Sequence, residues 1–159
     1  SPVGEGLQGL GVYESVPQTE LNSHKVRAYT VTANWQWVHN HLGNCMFIPW
    51  SRDQIVSLVR AITGWQTNIF ELLKVAERGV TMARLFNMRE GLTRADDKLP
   101  ARMNTPFVSG TVLEKPIDPE VLDEHLDMFY GMMGWDPKTG KPTEGKLQEL
   151  DIEWAAKCM

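Results

Sequence analysis

The sequence predicts an all-α, multihelical domain of about five helices with long connecting loops. Three observations carry that expectation. Apolar residues recur at helical spacing in several separate segments. Capping residues open these segments and glycines close them. No pair of alternating runs flanks a hairpin turn, no βαβ rhythm appears, and there is no internal repeat.

Residues 1–18 are rich in glycine and proline and show no apolar period. They read as a flexible entry segment, with residues 19–159 as a single helical domain. The chain starts at Ser1 without a Met, so its expected N-terminus lies further upstream. From Glu20 to about Asn40, Val26, Tyr29, Ala33 and Val38 fall near one helical face, with Trp37 beside it. The β-branched run Thr30-Val31-Thr32 opposes that helix, and Gly43 suits the turn after it.

Ser51 and Gln54 have capping-box spacing. Ile55, Leu58, Val59 and Ile62 give the next helix an apolar face, which Gly64 closes. Thr67 is expected to cap the longest helix. Its apolar positions are Ile69, Leu72, Leu73, Ala76, Val80, Ala83 and Phe86, running up to Gly91. Leu92 to Lys115 reads as loop. Asp118-Pro119 opens a further helix, with Val121, Leu122, His125, Leu126 and Phe129 inward and Gly134 at its end. Residues 135–140 carry turn chemistry, and Thr143 starts a last short helix through Leu147 and Leu150.

Composition removes several function classes. The 159 residues are 42% hydrophobic and 23% charged, with a net charge of −4. Lys and Arg number 16 against 20 acidic residues and form no long stripe, which argues against a nucleic-acid surface. No run of about 18 apolar residues exists to span a membrane. No secretory signal is visible, so the expected location is cytoplasmic. The two cysteines, Cys45 and Cys158, cannot alone form a disulfide framework, a four-thiolate zinc site or an iron–sulfur cluster.

Most candidate chemistry reads as structural. Asp96-Asp97 lies in a sign-balanced run and suits loop bracing. His39 and His41, two residues apart, point away from each other on a helix and make a poor metal pair. His125 fits a satisfied core or interface histidine. No phosphate-binding glycine loop and no nucleophile elbow occur.

The segment Asn40-His41-Leu42-Gly43-Asn44-Cys45 differs from these. A helix ends, a glycine turns the chain, and a thiol follows two residues later. Cys45 is placed either to ligate a metal or cluster beside free turn amides, or to pack as a small buried residue beside Met46 and Phe47.

A set of ordered motifs then resembles a known family. They are Gly43-Asn44-Cys45-Met46-Phe47, Thr63-Gly64-Trp65, Glu71-Leu72-Leu73 and Ala76-Glu77-Arg78. The most specific runs from Arg84-Leu85-Phe86-Asn87-Met88-Arg89-Glu90-Gly91 through Asp96-Asp97-Lys98-Leu99-Pro100. Leu122-Asp123-Glu124, Met133-Gly134-Trp135-Asp136, Pro142-Thr143 and Lys146-Leu147 complete it. From roughly Asn22 to Ile152 the chain resembles the C-terminal helical domain of the tungsten-containing aldehyde:ferredoxin oxidoreductases.

The resemblance implies oxidation of aldehydes to carboxylates with electrons passed to ferredoxin. It implies a tungsten or molybdenum bis-pterin and a [4Fe–4S] cluster in the parent enzyme. The family motif Asp-x-x-Gly-Leu-Cys reads here as Asn40 to Cys45, with Asn40 and Asn44 as departures. Cys45 maps to one cluster ligand, and Asn40, Gly43 and Asn44 to the pterin-contacting turn. Other cluster ligands and a catalytic carboxylate belong to a middle domain, so no catalytic residue is assigned in this chain.

One thiolate of four cannot hold such a cluster. The expected partners are therefore the N-terminal and middle domains of the same enzyme, or a partner subunit, with the isolated chain silent and free of cofactor. Six tryptophans and eight methionines suggest an exposed apolar patch near Cys45, or homo-oligomerisation through it. The alternative is a stand-alone helical binding or assembly module without redox chemistry.

Overall fold

A computed structural model describes residues 5–17, 19–106 and 116–158. Among these residues there is no strand, only one isolated antiparallel bridge between Trp135 and Pro142. The helices are α1 (Glu5–Gln8), α2 (Ser23–Leu42), α3 (Arg52–Thr63), α4 (Ile69–Arg89), α5 (Pro119–Met133), α6 (Glu144–Glu149) and α7 (Glu153–Ala156). The five expected helices are α2 to α6, and α1 and α7 are single turns.

Capping follows the predicted chemistry with one shift. Ser51 and Gln54 form the reciprocal capping box of α3, at 2.8 and 3.2 Å. Asp118 caps α5 ahead of Pro119, and Thr143 caps α6. Gly43, Gly64 and Gly134 end their helices with left-handed backbone. Thr67, however, does not cap α4. Asn68 does, accepting the Glu71 amide at 2.9 Å. Thr67 is buried, and its carbonyl takes the Arg60 Nε at 2.7 Å.

The β-branched run does not stop α2. Thr30 and Thr32 donate their hydroxyls to the carbonyls of Val26 and Ala28, one turn back. The helix starts at Ser23, later than expected, because Asn22 supplies the cap. Between Leu92 and Pro106 the loop holds two 3-10 turns, Arg94–Asp96 and Ala101–Asn104. Residues 107–115 of that expected loop lie outside the described residues. In the entry segment, Val12 is buried and the Gly11 carbonyl accepts from Arg27 at 2.7 Å.

Helix α2 packs on α4 and α5, and α3 packs on α4. The interior divides into three clusters. The first joins Val38 with Ile55, Val56, Val59, Leu72 and Ala76. The second joins Leu85 with Leu147, Leu150, Ile152 and Ala155. The third joins Tyr130, Met133 and Trp135. Each fully buried Ile or Leu here contributes roughly 1.5–3 kcal/mol of transfer free energy. Trp35 and Trp37, which fit no periodic face, lie half-buried against the first cluster.

Several expected core positions are open instead. Tyr29 is exposed although its ring meets Phe129 at 5.8 Å. Leu58, Ile62, Val121, Ala83 and Phe86 are also exposed. The cause is geometric: an apolar stripe predicts a buried face only if another element covers it, and these faces have no full cover among the described residues.

Candidate functional site

The Asn40–Cys45 turn follows directly from the end of α2. Gly43 sits at φ 68°, and its amide donates to the Asn40 carbonyl at 3.3 Å. The Asn44 amide reaches back to the His39 carbonyl at 3.2 Å. These bonds satisfy the last carbonyls of the helix and reverse the chain. An added Cβ at Gly43 would meet nothing within 4 Å, so the glycine is needed for its backbone angle and not for space.

Cys45 then stands exposed with a free thiol. This excludes the reading of Cys45 as a small buried residue. Met46, Ile48 and Trp50 are exposed beside it, and Phe47 is 90% accessible. The Cys45 carbonyl accepts the Ile48 amide at 3.3 Å, closing a tight turn. Within that turn the amides of Cys45, Met46 and Phe47 donate to no protein acceptor among the described residues. Successive unpaired N–H groups beside a thiolate are a recurring feature of iron–sulfur sites.

The other two turn amides are committed. Gly43 and Asn44 spend their N–H groups on α2, so only those from Cys45 onward are available for an external group. The Asn44 side chain is also turned inward, with Oδ1 and Nδ2 both buried and unpartnered. Asn40 is exposed. The structure thus brings the four predicted residues onto one turn, with Asn40 and Cys45 facing outward.

The histidines separate as their spacing requires. His39 is buried with its ring edge against Trp35, at 5.4 Å between centroids. His41 lies on the other side, where its Nδ1 meets the Trp37 carbonyl at 2.7 Å. Its ring fills the space above Gly79, where an added Cβ would lie 1.7 Å from Nε2. His125 bonds the Val121 carbonyl within its own helix. Among the described residues no group of three His, Cys, Asp or Glu side chains could hold a metal ion.

Two polar assemblies were not visible as units in the sequence. Arg84 is buried and pairs with both Asp97 oxygens, at 3.0 and 2.6 Å. Its Nε donates to the Gly140 carbonyl at 3.0 Å. Its guanidinium lies over the Tyr130 and Trp135 rings, and the Tyr130 hydroxyl donates to Asp97. Asp96 turns the other way and accepts from the Thr93 amide and hydroxyl, which hold its carboxyl below the usual range. The Asp96-Asp97 pair therefore braces the loop, as its sign balance suggested.

The second assembly is an alternating network. Glu77 accepts from Lys74 and Lys146 at 3.0 and 2.7 Å, and both lysines also reach Glu149. The available signal was the pair of i, i+3 spacings, Lys74 with Glu77 and Lys146 with Glu149.

Comparison with known proteins fits this architecture. The family described as "Aldehyde ferredoxin oxidoreductase, domains 2 & 3" matches residues 3–152. The tungsten-containing aldehyde ferredoxin oxidoreductase of Pyrococcus horikoshii is 29% identical over 149 residues, covering 91% of this chain. That of Pyrococcus furiosus is 29% identical over 147 residues, covering 90%. The chain spans only 24% of the length of either relative. Among solved structures, the active site complex BamBC of benzoyl coenzyme A reductase superposes with a TM-score of 0.71. It covers 98% of this chain and 24% of its own, at 23% identity, a likeness of fold. No helix among the described residues is long and apolar enough to cross a membrane. By the match over residues 3–152, this chain belongs to the aldehyde ferredoxin oxidoreductase family.

Proposed function

We propose that this chain is one part of a tungsten-dependent aldehyde oxidoreductase and that its Cys45 turn supplies one thiolate to a [4Fe–4S] cluster. Residues 19–159 act as the helical domain of that enzyme. The remaining domains, on the same polypeptide or on a partner subunit, supply the other ligands. The observation that carries this reading is the exposed Cys45 thiol on a turn where the amides of Cys45, Met46 and Phe47 have no protein acceptor among the described residues.

The residues fit one corner of a cluster. A thiolate needs stabilisation when it is taken from water, and the Met46 and Phe47 N–H groups are available for that. The α2 cap holds the turn in one shape, so the thiol is presented in one orientation. When bound, the cluster and the tungsten bis-pterin supply electron transfer and the oxidation of aldehyde to carboxylate, with ferredoxin as acceptor.

Pterin contact divides among the turn residues. Asn40 is exposed and offers an amide that both donates and accepts but carries no charge. Gly43 and Asn44 serve the turn's shape, since their amides and the Asn44 side chain are directed inward. This differs from the sequence expectation, in which all four residues touch the cofactor.

The test is Cys45→Ser in the assembled enzyme, with iron, tungsten and the reduced-cluster electron paramagnetic resonance signal measured. Loss of iron and of the signal, with helical circular dichroism kept, is the expected result. Unchanged iron would favour the stand-alone binding module.

A further inference from the structure

Gly79 stands at the midpoint of α4, where a glycine weakens the helix that carries it. The glycines of α5 and α6 face open space: an added Cβ at Gly131 or Gly145 meets nothing within 4 Å. At Gly79 the same Cβ would lie 1.7 Å from His41 Nε2, and 2.5 and 2.6 Å from Cδ2 and Cε1. Ordinary contact starts at 3.4 Å, so the imidazole fills the space that any side chain here would need. The glycine is a seat for one particular ring.

That ring belongs to the last turn of α2, and a second contact holds it. His41 Nδ1 donates to the Trp37 carbonyl at 2.7 Å, which fixes the ring's rotation. A carbonyl can only accept, so Nδ1 carries the proton and Nε2 is the atom turned to Gly79. The other side of the same turn is anchored inward, with His39 buried against Trp35 and Val38 in the first cluster. The Gly43 and Asn44 amides then tie the following residues to the Asn40 and His39 carbonyls. A chain of contacts thus runs from α4 through the His41 ring and the end of α2 to the Cys45 turn.

We propose that Gly79 and His41 are positioning residues for the Cys45 thiolate. The ring seated on the glycine sets how closely the end of α2 approaches α4, and so where the turn presents its sulfur. The inference rests on the reading of Cys45 as a cluster ligand and adds what fixes that ligand's place. Groups that orient a metal ligand change metal affinity or activity by roughly 10–100-fold when they are removed.

The test uses the assembled enzyme carrying Gly79→Ala, His41→Ala or both. It reads the reduced-cluster electron paramagnetic resonance signal and the rate of iron loss to a chelator. Gly79→Ala should shift the signal and speed iron loss by about tenfold or more, because the ring must leave its seat. His41→Ala, which removes an exposed ring and leaves α4 unchanged, should do the same. The double variant should be no worse than either single one, since both break one contact. Leu150→Ala is the control: it hollows the second cluster and lowers the thermal midpoint, and should leave signal and iron loss as in the parent.

An unchanged signal and unchanged iron loss in both single variants would overturn the proposal. Additive effects in the double variant would overturn it too, by giving the two residues separate roles. So would equal effects in Leu150→Ala, which would make stability and not position the cause.

Cys45→Ser, run in parallel, separates this from the cluster reading. If that variant keeps its iron, the cluster reading falls and this proposal with it. If it loses its iron while Gly79→Ala and His41→Ala behave as the parent, the cluster reading stands and only the positioning role fails.

Discussion

Arg84 and Asp97 meet through both carboxylate oxygens, thirteen residues apart in the chain, and tie the end of α4 to the loop that follows it. The pair is mostly shielded: side-chain access is 10% for Arg84 and 30% for Asp97. Removing one partner leaves a buried charge uncompensated. Arg84→Ala should therefore cost about 3 kcal/mol, the low end for such pairs because Asp97 keeps some contact with water. Arg84→Lys should recover only part of this, since an ammonium cannot form the planar two-point contact or the stack on Tyr130 and Trp135. Urea unfolding of both variants checks the order.

Tyr130 joins the same cluster from α5. Burial is the main reason its hydroxyl is pushed up to about 12, with the bond to Asp97 next and the nearby arginines opposing. The folded state thus favours the protonated phenol. Its contribution is complete below the ordinary value of 10.0 and is lost as pH rises toward 12. Ultraviolet titration should show a late-ionising tyrosine in the folded chain, and Tyr130→Phe should remove that step.

The lysine–glutamate network predicts an acid limb. Glu149 is held below its ordinary value of 4.5, first by the Lys74 hydrogen bond and then by that of Lys146. The folded state favours the carboxylate, so this contribution is present above pH 4.5 and lost as pH falls through the lower folded value. For Lys74, burial lowers the value, but the bonds to Glu149 and Glu77 outweigh it and the net shift is upward. Its share therefore fades only at high alkaline pH. Thermal midpoints measured between pH 3 and 6 should fall less steeply for Glu149→Gln than for the parent.

Two helical glycines should respond in opposite directions. Gly131 has nothing within 4 Å of an added Cβ, so Gly131→Ala should stabilise by about 0.5–1 kcal/mol through helix propensity. Gly79 faces the His41 ring, and the same change there should destabilise by about 1–3 kcal/mol despite that gain. Denaturant midpoints of the two variants give the signs directly.

The helices were legible because local chemistry decides them. Ser51, Asp118, Thr143, Gly43, Gly64 and Gly134 act within one turn of their own position, and all six cap as their types require. The Thr67 error is of the same local kind, since two adjacent residues both suit a cap and tertiary burial of Thr67 chose between them. What lay beyond reach was partnership across distance. Leu58 and Ile62 show the same periodicity as Ile55 and Val59, and only the packing reveals that one pair is bare. At the turn, the motif located Cys45, but not that the Gly43 and Asn44 amides are consumed by α2.

Helix α4 enters all three apolar clusters: Leu72 and Ala76 in the first, Leu85 in the second, and Val80 against the third. A structure strung on one rod does not open in one piece. Local fluctuations can release α3 or the α6–α7 end singly, while the rod stays helical until the clusters along it have let go. Amide hydrogen exchange should accordingly be slowest along α4 among the described residues, which a native-state exchange measurement checks. The cysteine turn lies between α2 and α3, so a local opening of α3 would free one of its two anchors while α2 keeps the other.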